Sequence, residues 1–214
     1  MTKMRFFQAV IEADPLEIKS LLVEPVDTNI GLYGSVLEFY RLGKIEALQD
    51  LITKISDPLV LTLAELHLQI RMRQISEMRT SVLERNLNTF DEMWHGEVYF
   101  VLAMAAEGLN DQRRAQVLFL KAYRAFEAVG FPKKAVRALL NATTCESRIY
   151  PEGKFIPDYQ FILQKSLEAN ENGVAAIALT NISCEYQRLG ALNVASINVS
   201  AAKTREARWP WFFK

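Results

Sequence analysis

The sequence predicts an all-α fold, an α-solenoid of about five or six stacked antiparallel helical hairpins. Three observations predict it. Apolar residues recur at the three-and-four spacing of a helix face along most of the chain. Glycine, proline and aspartate turn signals interrupt those segments at short intervals. The clearest pair, residues 173–203, reads as two amphipathic helices joined at a single glycine: Ala178, Leu179, Ile182, Ser183, Tyr186 and Leu189 share one face, and Leu192, Ala195, Val199 and Ala202 start a second stripe beyond Gly190. Gly190 can take the left-handed conformation that ends a helix without a Cβ penalty. A hairpin of this length cannot bury both faces alone, so neighbours must stack on it.

Taken in order, residues 4–13 and 15–23 read as an opening hairpin, with Asp14-Pro15 as a start signal and Glu24-Pro25 as a stop. Helices follow over 31–42 and 45–55, then over 60–72 and 76–87, with Pro58 opening the second pair. The longest helices are predicted over 93–109 and 112–129, and Gly130-Phe131-Pro132 ends that hairpin and starts a helix over 133–148. Pro151, Gly153 and Pro157 make residues 148–157 an inserted loop before a helix over 159–170. That loop carries Tyr150, Phe155 and Ile156, which either pack back onto the array or join a binding surface. The chain divides as a single domain: residues 1–25 an N-terminal capping hairpin, 29–204 the repeats, and 205–214 an aromatic tail.

Composition narrows the function. Half of the 214 residues are apolar, ample for a core, and 25 basic residues balance 25 acidic ones. No global field exists to hold nucleic acid. The first residues lack a secretory cleavage pattern and the longest apolar run, residues 98–106, is far short of a bilayer span, so a cytosolic chain without membrane insertion is expected. Cys145 and Cys184, both on predicted helices, are expected to be reduced, partly buried thiols. His67 and His95 belong to no metal-binding spacing, and there is no phosphate-binding loop or nucleophile elbow. No enzyme activity and no cofactor or metal are expected, and scattered acids such as Glu46, Glu65 and Glu77 read as solvated faces.

Tyr186, Gly190 and Ala195 carry a resemblance. An aromatic residue, a glycine four positions on and an alanine five beyond is similar to the core of the tetratricopeptide (TPR) pattern. Phe39 and Gly43 repeat its first two terms, with Leu48 in place of the alanine. Tyr99, Leu102, Ala103, Ala115, Phe119 and Ala122 resemble a third copy, turning at Asn110-Asp111. The tryptophan and closing proline of the strict repeat are missing, so the chain is TPR-like. The resemblance implies a concave groove lined by the leading helix of each hairpin, where an asparagine grips the backbone of an extended peptide.

A second repetition locates candidate residues. The segments from Ala138-Leu139 and Ala178-Leu179 superpose at one shift, which sets Asn141 on Asn181, Thr144 on Cys184 and Arg148 on Arg188. Asparagine and arginine lie two turns apart in each, on one helix face. An amide offers donors and an acceptor to a peptide unit, and a guanidinium takes a carboxylate in bidentate fashion. Arg41 and Arg71 hold the matching place in earlier hairpins and extend a basic edge, although Gly34 and Ala64 replace the asparagine. Favourable placement of arginine at a helix C-terminus, and asparagine bonding to a neighbouring helix, are the structural alternatives. The expected function is a protein-interaction module, an adaptor or scaffold, holding a partner peptide across Asn141, Thr144, Arg148, Asn181, Cys184 and Arg188. The tail residues Trp209, Trp211, Phe212 and Phe213 either cap the last hairpin or dock into another subunit or partner. The alternatives are therefore a homo-oligomeric scaffold built through that tail and a ligand-sensing solenoid.

Overall fold

A computed structural model of the chain describes residues 2–13 and 27–191. These residues form ten α-helices and one short 3-10 turn, with no strand among them. The helices are α1 (Lys3–Glu12), α2 (Thr28–Leu42), α3 (Ile45–Ile52), α4 (Pro58–Met72), α5 (Glu77–Arg85), α6 (Glu92–Gly108), α7 (Gln112–Ala128), α8 (Pro132–Ile149), α9 (Ile156–Glu168) and α10 (Asn172–Arg188). The predicted second half of the opening hairpin (15–23), the helix carrying Leu192, Ala195, Val199 and Ala202, and the tail residues Trp209, Trp211, Phe212 and Phe213 lie outside the described residues.

The starts are set by aspartate. Asp27, Asp57, Asp91 and Asp111 each accept a backbone N–H from the first turn of the helix that follows, satisfying a donor with no partner inside the helix. Because Asp27 caps it, α2 begins three residues earlier than its apolar pattern suggests. The stops are set by left-handed residues. Gly43, Gly130 and Gly190 have φ of 70°, 75° and 77°. Arg73, Asn110 and Asn170 occupy the same region at turns where the sequence has no glycine. α9 starts at Ile156, three residues ahead of expectation, since Pro157 falls in the first turn where a missing N–H costs nothing. α5 stops at Arg85 and a 3-10 turn, Leu87–Thr89, completes the segment read as helix to residue 87.

Consecutive helices pack on each other, and α2 on α4, α4 on α6 and α8 on α10 add contacts between leading helices. α8 is shared by two cores. Its Ala135, Ala138, Ala142 and Cys145 close the larger cluster, which reaches back to α1, while Val136 and Leu140 belong to a second cluster with Phe155, Tyr159, Ile162, Val174, Ala178 and Ile182. Of the loop aromatics, Phe155 is buried in that second core and Tyr150 is exposed.

α1 runs beside α2 and also meets the start of α8, some 120 residues further along the chain. Phe6, Phe7, Val10 and Ile11 are fully buried, and the Phe7 ring lies 4.4 Å from Trp94 of α6 and 5.9 Å from Phe131. The C-terminal end of α1 is also fixed by polar groups, toward α8 and toward α2. The Glu12 carboxylate accepts the backbone N–H groups of Lys133 (2.8 Å) and Lys134 (3.3 Å), the electropositive start of α8. Arg41 donates to the terminal carbonyls of α1, Ala13 (2.5 Å) and Ile11 (3.0 Å), which have no partner inside the helix.

Candidate functional site

The leading helices turn one face each toward a common cleft of about 310 Å³. α2 contributes Leu37, Tyr40 and Arg41; α4 contributes His67 and Arg71; α6 contributes Glu97, Phe100 and Met104. α8 adds Lys134, Arg137, Leu140 and Asn141, α10 adds Val174 and Ile177, and Ala13 at the end of α1 bounds it. Its walls are mainly aliphatic and aromatic, and its polar groups are predominantly cationic.

Beneath the cleft lies a buried polar network that joins four helices, α2, α4, α6 and α8. Lys134 Nζ donates to Glu97 Oε2 at 2.6 Å, with the two side chains 3% and 1% exposed. The ammonium also stands over the rings of Phe100 (4.8 Å) and Phe126 (5.7 Å), which recover part of its lost hydration. Tyr33 donates its hydroxyl proton to Glu97 Oε1 at 2.8 Å and meets His67 Nε2 at 3.1 Å. With its one proton given to a carboxylate, the Tyr33 oxygen accepts from His67 Nε2–H. Burial keeps the imidazole neutral at ordinary pH, so its Nδ1 is an acceptor with no protein partner. The buried Nε–H of Arg137 likewise has none, although its guanidinium pairs with Glu171 at 2.8 Å.

These groups titrate far from their ordinary values. Burial, with the charges of Lys134 and Arg41, pulls the His67 imidazole down to about 3, Glu97 opposing. Burial alone would raise Glu97, yet the attraction and hydrogen bond of Lys134 hold it below the ordinary carboxylate range. Burial pulls the Lys134 ammonium down to about 8 against the pull of Glu97, so the pair is ionic at neutral pH. Burial and the neighbouring Arg137 lower Arg41 to about 10. A pH prediction follows from His67. The unfolded imidazole takes a proton near 6.5 and the folded one only near 3, so its contribution is full above 6.5 and is lost as pH falls through that window. The unfolding free energy, measured by denaturant titration between pH 7 and pH 4, should fall by up to about 1.4 kcal/mol per pH unit from this group. His67→Gln should flatten that slope, and parallel slopes for the two proteins would contradict the assignment.

The sequence-predicted residues continue the faces that line the cleft. On α8 the stripe Lys134, Arg137, Asn141, Thr144, Arg148 leads out of it, and on α10 Val174, Ile177, Asn181, Cys184, Arg188 does the same. Of the six, Asn141 alone lines the cleft. Asn181 is half-buried outside it. Thr144 bonds back to the Leu140 carbonyl at 2.8 Å. Arg148 is paired with Glu107 of α6. Arg188 donates to Glu185 and to the Gly153 carbonyl, both at 2.7 Å, which ties α10 to the inserted loop. Both arginines therefore have structural work of their own.

Two expectations are corrected. Cys184 is exposed, because α10 turns it away from both cores, while Cys145 is buried and its thiol is pushed up to about 11 by that burial. The general reading of scattered acids as solvated faces fails at Glu97, which is fully buried because Lys134 and Tyr33 satisfy its carboxylate. The signal was present in its spacing: Glu97 falls on the same apolar stripe as Met93, Trp94 and Val101. Among the described residues no cluster of three or more histidine, cysteine or acidic side chains could hold a metal, and no helix is long and apolar enough to cross a membrane.

No family model matches the chain, and no curated protein does. Among solved structures, the crystal structure of BtubC (BKLC) from P. vanneervenii is similar, with a TM-score of 0.56 and 15% identity over 100% of this chain and 95% of that one. At that identity the likeness is one of fold.

Proposed function

We propose that the chain is a TPR-like α-solenoid acting as a non-enzymatic interaction module, and that the inner face of α8 and α10 receives a segment of a partner protein. The observation that carries the reading is the convergence of five leading helices on one cleft, with the Asn141, Thr144, Arg148 and Asn181, Cys184, Arg188 stripes running out of its mouth. Helices whose outer neighbours supply the packing leave their inner faces free to bind, which is how stacked hairpins present a surface. α1 occupies the inner face between α2 and the start of α8, so the open stretch is at α8 and α10.

The experiment compares capture of partners from native lysate by the immobilised wild-type chain and by Asn141→Ala and Asn181→Ala. Losing one amide that grips a peptide unit costs about 1–3 kcal/mol, a drop in affinity of about five- to 150-fold. The drop is expected for both variants on the same protein, with unchanged helical circular dichroism. Undiminished capture by both would overturn this site.

A further inference from the structure

We propose that the enclosed part of the cleft is a binding site for a small free organic acid, a carboxylate carried on an apolar body. The inference rests on reading the inner face as a binding surface but concerns a different occupant from the partner segment.

Charge argues first. Arg41, Arg71, Lys134 and Arg137 gather around the cleft, and the carboxylates that answer them are Glu97 on Lys134 and Glu171 on Arg137. Arg41 is spent on the carbonyls of α1, and Arg71 has no ion-pair partner among the described residues. Glu107, which also faces Tyr40, is neutralised by Arg148. The positive charges repel one another: Arg137 weighs on Arg41, and both weigh on Lys134. An anion relieves that repulsion, and guanidinium groups hold a carboxylate with two parallel hydrogen bonds.

Shape and lining argue for a small acid with an apolar body. Phe100, Met104, Leu140, Val174 and Ile177 form most of the wall, which an inorganic anion would leave unused. The volume falls at the lower end of small-molecule sites. An extended peptide needs amides at successive repeats to satisfy its backbone, and among the described residues of the cleft only Asn141 offers one. α1 closes the path a longer chain would take, with Ala13 at the wall. Arg137 and His67 both belong to the wall, and each keeps one buried nitrogen, Nε and Nδ1, without a protein partner.

The test is a titration of the full chain with a panel of aromatic and medium-chain acids, indole-3-acetate, 4-hydroxyphenylacetate and octanoate among them, each paired with its neutral amide and followed by calorimetry and thermal shift. At least one acid is expected to bind about tenfold or more tightly than its amide, the difference one charge-assisted contact supplies. Arg71→Gln should remove about tenfold of that affinity, whereas Arg113→Gln, which removes an exposed charge from α7, should leave it unchanged. No response to any acid at 10 mM, equal binding of acids and amides, or full affinity in Arg71→Gln would overturn the proposal. So would binding only of peptides that end in a free carboxylate. Each of these outcomes leaves the Asn181→Ala arm of the lysate capture independent, because Asn181 lies outside the cleft whereas Asn141 lines it.

Discussion

Lys134→Met should unfold the chain about 10 °C below the wild type. The lysine lies 2.6 Å from Glu97 with almost no solvent on either group, and methionine fills its volume without its charge. What remains is a carboxylate buried with only the Tyr33 hydroxyl to satisfy it. Breaking one side of such a pair costs about 3–5 kcal/mol, and a chain of this size loses about 2–4 °C per kcal/mol. The double variant Lys134→Met, Glu97→Gln should recover at least half of the loss, because glutamine keeps an acceptor for Tyr33 and removes the stranded charge. Calorimetric melting of both proteins checks this. An additive double variant would mean that the two side chains are not coupled as their geometry implies.

Phe7→Ala should cost about 3–5 kcal/mol, the range for emptying a buried aromatic site. The ring is fully buried between Trp94 and Phe131, so it joins α1 to α6 and to the start of α8 at once. Its loss should also release α1 from the inner face, and hydrogen exchange in α1 should quicken far more than in α7. Loss of less than about 1 kcal/mol, with α1 still protected, would show that the polar ties of Glu12 and Arg41 hold the helix without the aromatic contact.

Nearly every helix of the described residues was legible from its three-and-four apolar stripe, and three of them also end at a glycine stop, Gly43, Gly130 or Gly190. Boundaries slipped where a cap outweighed the stripe, at Asp27 and Pro157. The turn between α4 and α5 gave no glycine to read because Arg73 adopts the left-handed conformation itself. The place of α1 against α8 was not legible at all. It depends on Glu12 meeting the first amides of a helix 120 residues away, and neither local periodicity nor a turn signal encodes such a contact.

The site was legible in part for a related reason. The Asn141 and Asn181 stripes could be found because they repeat at a fixed shift, and Asn141 does reach the cleft. Arg41 and Arg71 followed from the same register. The network beneath them does not repeat: Tyr33, His67, Glu97 and Lys134 come from four helices and differ at each level. Charged residues on an apolar stripe are the only trace it leaves in the sequence, and pairing Glu97 with Lys134 requires knowing which helices meet.

Photo-crosslinking through Cys184 tests the partner surface most directly. The thiol is exposed on the α10 stripe, whereas Cys145 is buried, so a maleimide benzophenone should label residue 184 selectively. Irradiation in native lysate is expected to give one discrete adduct, absent when the label is moved to Val117→Cys on α7 in a Cys184→Ser background. An adduct formed from residue 117 and not from residue 184 would place the partner on the outer helices and contradict the account.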